Sequence, residues 1–128
     1  MLHGITGSSR DKYMIEMAGA CKENGINCIC FNHYAPPNEK DLRLMNMCED
    51  KYLDEVIKYA SERFNPEEIY LCGFSLGGNH ILRYLGSKKN NVPDVVKAAL
   101  TIGTPFDSTK CATKIKKTHF GIYNRAIA

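Results

Sequence analysis

Residues 73–86 read GFSLGGNHILRYLG, and this stretch decides how the rest of the chain is interpreted. It begins with the pattern Gly-x-Ser-x-Gly, in which Gly73 and Gly77 flank Ser75. A short apolar segment, residues 68–73 (EIYLCG), precedes the pattern, and apolar side chains at helical spacing follow it. A sharp turn between a buried strand and a helix is the setting in which this pattern exposes a serine hydroxyl at a sheet edge. The sequence therefore predicts that Ser75 is a nucleophile on a nucleophile elbow.

The two glycines have a steric role in this prediction. A turn this sharp forces the serine into a strained backbone conformation, and side chains at Gly73 and Gly77 would collide with the neighbouring strand and helix. The N-terminus of the following helix favours negative charge near the hydroxyl. The alternative interpretation is a phosphate-binding turn, but the stretch lacks the Gly-Lys-Ser/Thr ending of a P-loop and the glycine spacing of a dinucleotide site.

A second segment, residues 3–9 (HGITGSS), follows what looks like the end of a strand. Such a loop can offer a backbone N–H to a developing oxyanion, so we expect the amides of Ile5 and Leu76 to form an oxyanion hole. His3 is expected to support the turn rather than to transfer protons. It precedes the serine, whereas the chain order of this kind of site is serine, acid, histidine.

The apolar segments alternate with helical ones. Short buried strands are predicted over residues 25–31, 68–73 and 95–102, and helices over residues 12–24, 47–64 and from the elbow to residue 86. Asp11 is a candidate N-cap and Gly25 a candidate stop for the first helix. This order predicts an α/β fold with a mainly parallel sheet and helices on both faces.

Composition limits the possible partners and cofactors. A chain of 128 residues with net charge +3 fits one globular domain and argues against nucleic-acid binding. After Asp107 the cations meet no acid, which predicts a solvated segment or, as the alternative, a contact with phosphate or anionic lipid: Lys110, Lys114, Lys116, Lys117 and Arg125. The six cysteines are expected to be reduced and buried, and none has zinc-site spacing, so we expect no metal and no cofactor.

Several motifs together resemble a known family. HGITGSS, GFSLGGNHILRYLG, TPFD at residues 104–107 and YNR at residues 123–125 look like AB hydrolase family 4 of the α/β-hydrolase fold. That group includes monoacylglycerol lipases, phospholipases and medium-chain esterases. The resemblance implies Ser75 as nucleophile, Ile5 and Leu76 as oxyanion donors, and a lipid or other acyl ester as substrate. One departure is HYA at residues 33–35, where the family often has Arg-Gly, so the resemblance does not extend to the loop beside the site.

The ends of the chain suggest the central portion of a larger domain, truncated on both sides. Residues 1–4 resemble the end of a strand, and without a strand after Ile102 the sheet would have an apolar open edge. The resemblance places the triad acid and histidine beyond Ala128. Asp107 and His119 stand in the right order, but the eleven residues between them are too few for a parallel crossover, so a self-contained triad is the lesser alternative.

The function expected from the sequence is that of a serine carboxylic-ester hydrolase working through an acyl-enzyme, with the chain as given weakly active or inactive. Two alternatives stay open. An alcohol could replace water as acyl acceptor, which would make the protein an acyltransferase, or the chain could be a non-catalytic hydrolase-like binding module. Segments outside these residues could also contact a membrane, and the cellular location is left open.

Overall fold

The computed structural model describes residues 1–33 and 51–118, and the structural statements below concern these residues. The elements in chain order are α1 (Lys12–Glu23), α2 (Lys51–Phe64), β1 (Ile69–Phe74), α3 (Leu76–Lys88), a 3-10 turn (Lys89–Asn91), β2 (Val96–Ile102) and α4 (Ser108–Lys117). Residues 47–50 of the predicted second helix lie outside the described part. Among the described helices, none is long and apolar enough to cross a membrane.

The strands form a parallel sheet. β1 pairs with β2 in parallel, with Phe74 opposite Ile102 at the carboxyl end. Leu2 adds two parallel bridges, one to Gly73 of β1 and one to Phe31. The order across the sheet is therefore Phe31, Leu2, β1 and β2, which confirms the predicted mainly parallel arrangement.

The predicted strand over residues 25–31 is wrong in extent, because only Phe31 pairs, in a single bridge to Leu2. The Met1 ammonium donates to the Ile29 carbonyl at 2.6 Å, and the Phe31 N–H donates to the Met1 carbonyl at 2.9 Å. Residues 26–30 form no ladder within the described part of the chain.

Helices cover both faces of β1, as predicted. Leu71 packs into the main core with apolar side chains from α2, α3 and the first strand segment: Leu2, Leu53, Ile57, Ile81 and Tyr84. Phe74, three positions later, points to the opposite face because side chains alternate along a strand. There it meets the ring of Tyr13 from α1, with ring centroids 4.9 Å apart.

The most deeply buried side chains come from α3. Ile81 and Tyr84 have no exposed surface, and the Tyr84 hydroxyl donates to Asp54 Oδ1 of α2 at 2.9 Å. A buried hydroxyl without a partner would cost about 1–3 kcal/mol, so this bond makes a tyrosine acceptable in the core. The Lys88 ammonium also contacts the Asp54 carboxylate. These contacts fasten α3 to α2.

β2 was predicted as a buried strand, and that burial is wrong. Leu100 is 55% exposed and Ile102 is 39% exposed. β2 lies at the edge of the sheet, with no described strand on its outer side. The apolar open edge expected from the sequence is therefore present in the described part of the chain.

Two further predictions concern the ends of α1. Asp11 occupies the N-cap position, but its carboxylate accepts from the N–H and hydroxyl of Ser8 instead of capping the helix. At the other end Gly25 has φ +73°, and the Ile26 N–H donates to the Cys21 carbonyl at 2.9 Å. This is the left-handed glycine stop known as the Schellman motif.

The cysteines are thiols, but they are less buried than expected. The five described ones form no disulfide and all are half-buried. Burial raises the pKa of Cys28 to about 11, with the hydrogen bond that its thiol makes to the Cys21 side chain as a second cause, and burial also raises the pKa of Cys72. Cys28 and Cys72 are therefore protonated at neutral pH.

Candidate functional site

Ser75 has an unusual backbone conformation. It lies between β1 and α3 with φ 51° and ψ −113°, the mirror image of a common turn conformation and one normally taken by glycine. Its N–H donates to the Ile102 carbonyl of β2 at 2.8 Å, and its carbonyl accepts the Asn79 N–H at 3.1 Å. Such a conformation costs about 1–3 kcal/mol and persists only where the surroundings fix it. Here both neighbouring peptide groups are held.

The glycines beside Ser75 lie where no side chain fits. A Cβ on Gly73 would be 2.6 Å from backbone atoms of Gly77 and Gly78. A Cβ on Gly77 would be 2.6 Å from the carbonyl oxygens of Leu2 and His3. These are the collisions with helix and strand that the sequence predicts. The turn can therefore close only with glycine at both positions.

The loop that follows the first strand segment lies against Ser75. A Cβ on Gly4 would be 3.3 Å from Ser75 Cβ and 3.9 Å from Ser75 Oγ. The Gly4 N–H donates to the Tyr13 hydroxyl at 3.0 Å, so α1 holds the loop in place. The loop and the serine are thus brought to the same edge of the sheet, where the strands end. Open α/β sheets bind their ligands at this edge.

Most N–H groups of this loop are already used. Gly7 donates to the Gly4 carbonyl, Ser8 to the Asp11 carboxylate, and Ser9 to the Asn32 side chain. Because the Gly4 N–H is bound as well, the N–H groups of Ile5 and Thr6 are the ones in residues 4–9 that donate to no described residue. Ile5 is the nearer of the two to Gly4 in sequence, and its side chain is 40% exposed.

Leu76 begins α3 directly after Ser75 and is buried, at 4% exposure. The first N–H groups of an α-helix have no partner inside the helix. The N-terminal end of the helix also carries partial positive charge. The Leu76 N–H therefore lies where an anion beside Ser75 would be favoured.

His3 supports the loop, as predicted. It is 4% exposed, and its Nδ1 lies 2.8 Å from the Gly4 carbonyl oxygen. His33 binds it twice: the His33 N–H donates to His3 Nε2 at 3.3 Å, and His33 Nε2 lies 2.9 Å from the His3 carbonyl oxygen. These contacts assign the proton of His3 to Nδ1 and that of His33 to Nε2, since a carbonyl accepts only from N–H.

The residues that clamp the loop from the other side are Asn32 and His33, and the sequence interpretation missed their role. Ser9 N–H donates to Asn32 Oδ1 at 2.7 Å, while Asn32 Nδ2 donates to Ser9 Oγ at 3.0 Å. The His33 ring also meets the ring of His80 on α3, at 4.7 Å between centroids. Burial lowers the pKa of His33, which keeps the imidazole neutral at pH 7. The clamp thus consists of uncharged groups.

Asp107 caps α4. Its carboxylate accepts the Lys110 N–H at 2.9 Å, and this bond, with the Lys110 ammonium as a further cause, lowers the pKa of Asp107. His119 lies outside the described residues. Among residues 1–33 and 51–118, none forms a hydrogen bond with Ser75 Oγ. The described part therefore places no base on the serine.

Comparisons with known proteins agree with this architecture. A family model for the alpha/beta hydrolase fold matches residues 1–128. The chain is 31% identical over 111 residues to embryogenesis-associated protein EMB8 of Picea glauca, covering 84% of this chain and 23% of the relative. It is 26% identical over 119 residues to human phospholipase ABHD3, covering 91% of this chain and 29% of the relative.

A monoacylglycerol lipase of Saccharomyces cerevisiae is 27% identical over 130 residues, covering 94% of this chain and 27% of the relative. The chain thus spans about a quarter of the length of these curated relatives. No solved structure matches. The match along the whole chain, together with the parallel sheet and its helices, shows that this protein belongs to the alpha/beta hydrolase fold family.

Proposed function

We propose that residues 1–128 carry the nucleophile and the oxyanion-binding backbone of a serine carboxylic-ester hydrolase acting on lipid esters. The observation that carries the proposal is the backbone of Ser75, a non-glycine residue at φ 51° and ψ −113° at the carboxyl edge of the sheet. Strain of this kind clusters at functional sites. Relatives named phospholipase and monoacylglycerol lipase support a lipid ester as the substrate class.

In the proposed reaction Ser75 Oγ attacks the ester carbonyl carbon while its proton passes to a general base. The tetrahedral oxyanion accepts hydrogen bonds from the N–H groups of Ile5 and Leu76, each contributing about 2.7–4 kcal/mol to the transition state. The alcohol then leaves with the proton. Water, deprotonated by the same base, cleaves the acyl-serine to the carboxylic acid and restores the hydroxyl.

The geometry around Gly4 supports this choice of donors. Gly4 touches Ser75, and its own N–H is already bound to Tyr13, so the next N–H along the loop is that of Ile5. The Leu76 N–H comes from the opposite side, at the start of α3. A carbonyl oxygen beside Ser75 Oγ would lie between the loop and the helix.

We place the base and its supporting acid outside the described residues. Ser75 Oγ has no hydrogen-bond partner in the described part, and the Asp107 carboxylate is already bound to the backbone and ammonium of Lys110. A serine hydroxyl without a base is a weak nucleophile. We therefore expect slow acyl transfer from this chain by itself.

Labelling with a fluorophosphonate probe tests the proposal, because the probe reacts with activated serines. We expect weak labelling of the 128-residue chain and strong labelling at Ser75 in a form extended toward the length of its relatives. Ser75→Ala should abolish both signals, and Ser61→Ala, a matched change on α2, should alter neither. Labelling that survives in Ser75→Ala would refute the assignment of the nucleophile.

Strong labelling of the short chain would contradict the slow acyl transfer expected of it. Loss of that labelling in Asp107→Asn would contradict the placement of the supporting acid outside the described residues, and loss in His119→Ala would identify His119 as the base. The second candidate function is an acyl-binding module without catalysis, favoured by the lack of a described base on Ser75. An extended form that binds a lipid ester but does not label would support that candidate. Product analysis with a competing alcohol separates hydrolysis from acyl transfer to alcohols.

A further inference from the structure

A basic helix begins beside the candidate site. β2 ends at Ile102, and residues 103–107 lead from it into α4. This connection is tied to α3, since Asn79 Nδ2 donates to the Pro105 carbonyl at 2.8 Å. Ser75 donates its N–H to Ile102 at the same edge of the sheet. Whatever binds the start of α4 is therefore held next to Ser75.

α4 carries four lysines and no acidic residue. Lys110, Lys114 and Lys117 are spaced four and three residues apart, which places them on one side of the helix. The nearest acid is Asp107, whose Oδ2 lies 3.1 Å from Lys110 Nζ. The Lys110 and Asp107 side chains are 87% and 46% exposed, so this ion pair is weak and opens easily. The helix thus keeps a net positive face.

The lysine side of α4 also has the shape and chemistry of a phosphate contact. Ammonium and hydroxyl groups surround an open depression along the helix, lined by Thr109, Lys110, Thr113, Lys114, Lys117 and Thr118. The hydroxyls of Thr113 and Thr118 are each bound to a carbonyl one turn back, which holds them in place. Lysine binds phosphate as a flexible point charge.

Phe106, immediately before the N-cap of α4, is 84% exposed. Ile115 of α4 and Ile102 at the end of β2 add partly exposed apolar surface, at 37% and 39%. A helix with lysines on its polar side and an aromatic residue beside it is typical of segments that lie in the lipid interface. A nucleic acid is disfavoured as partner, because the cluster of lysines without acidic neighbours is confined to one ten-residue helix and the chain's pI is about 8.5.

We propose that Phe106 and the lysine face of α4 (Lys110, Lys114 and Lys117) dock the protein on an anionic lipid bilayer. The lysines contact lipid phosphates, and the Phe106 ring enters the boundary between headgroups and acyl chains. The docked edge is the one that bears Ser75, so the hydroxyl faces the phase that contains lipid esters. The docking itself does not depend on the chemistry of Ser75.

Vesicle binding of the purified chain tests the proposal. Flotation with vesicles of phosphatidylcholine containing about one-third phosphatidylserine should show binding that vesicles of phosphatidylcholine alone do not support. Each lysine near such a surface changes the partition coefficient by about fivefold, so Lys110→Gln/Lys114→Gln/Lys117→Gln should lower it roughly a hundredfold. Raising NaCl from about 0.1 M to about 1 M should abolish binding by screening.

A matched control removes three exposed lysines at the opposite edge of the sheet. Lys22 lies in the last turn of α1, Lys89 follows α3 and Lys97 is near the start of β2. Changing these three to Gln removes the same charge, so binding should stay near the parent value if position matters. Phe106→Ser should lower the partition coefficient roughly tenfold while keeping the preference for anionic vesicles.

Four results would overturn the docking proposal: equal binding to both vesicle types, insensitivity to salt, equal loss in the two triple variants, or tighter binding to a single-stranded oligonucleotide than to anionic vesicles. Ser75→Ala should bind vesicles as the parent does. Loss of probe labelling together with intact vesicle binding would then refute the nucleophile and leave the docking surface supported.

Discussion

Two glycines of the same helix should respond to alanine in opposite directions. At an open helical position alanine is favoured over glycine by roughly 0.8–1 kcal/mol. Gly86 is such a position, because a Cβ there meets nothing within 4 Å. A Cβ on Gly77 would lie 2.6 Å from the carbonyl oxygens of Leu2 and His3. These are backbone atoms of a paired strand segment, so they cannot rotate away as a flexible side chain could.

The magnitude follows from these two effects. Overpacking costs typically about 1–3 kcal/mol, and a contact with fixed backbone belongs at the upper end. After subtracting the helical preference for alanine, Gly77→Ala should lower the free energy of unfolding by about 2 kcal/mol. Gly86→Ala should raise it by about 0.8 kcal/mol. For a chain of this size the Tm should fall by roughly 8 °C in the first variant and rise by roughly 3 °C in the second.

Urea and thermal unfolding followed by far-UV circular dichroism measure both variants against the parent. The comparison within one helix removes general effects of helix propensity. If Gly77→Ala is as stable as Gly86→Ala, the close approach of α3 to residues 2–3 is not a constraint. The steric explanation of the glycine pattern would then be wrong.

Two further predictions concern the site. Ser75→Gly should be more stable than Ser75→Ala by about 1 kcal/mol, since both lose the hydroxyl but only glycine relieves the positive φ; equal urea midpoints would argue against strain at this turn. Stability should fall as pH drops below about 6.5, because burial lowers the folded-state pKa of His33 and the unfolded chain takes up the proton first. His33→Gln should flatten this part of the stability profile, whereas an unchanged slope would show that His33 does not cause it.

The fold elements could be predicted where local pattern decides them. β1 was predicted one residue earlier than observed, and α3 continues two residues past its predicted end. α4 was missed because lysines dominate it and only Cys111, Ala112 and Ile115 are apolar. Asp107 as an N-cap, with Cys111 and Ile115 four residues apart, was the available signal. The burial of β2 was misjudged because an apolar strand pattern does not say which other segment covers it.

The candidate site, like the fold, could be predicted only in part. The sharp turn at Ser75 and its glycines could be predicted because the Gly-x-Ser-x-Gly pattern is local, although the backbone that excludes a side chain at Gly77 belongs to Leu2 and His3. The clamp by Asn32 and His33 could not, because it joins residues 23 to 30 positions apart and depends on the bridge between Phe31 and Leu2. Because the carboxyl ends of parallel strands share one edge of a sheet, Asn32 and His33 could have been placed near the loop of residues 3–9. Their hydrogen bonds to that loop could not have been predicted.

The outer side of β2 has no partner strand among the described residues, and an unpaired strand edge can pair with a second molecule. Lys97 is the only charged residue on this strand, so little electrostatic repulsion keeps a second molecule away. If two copies paired through this side in a self-complementary way, association would stop at a dimer, whereas head-to-tail addition through different surfaces would continue into fibres. Lys97 is then the charge on β2 that opposes either kind of pairing.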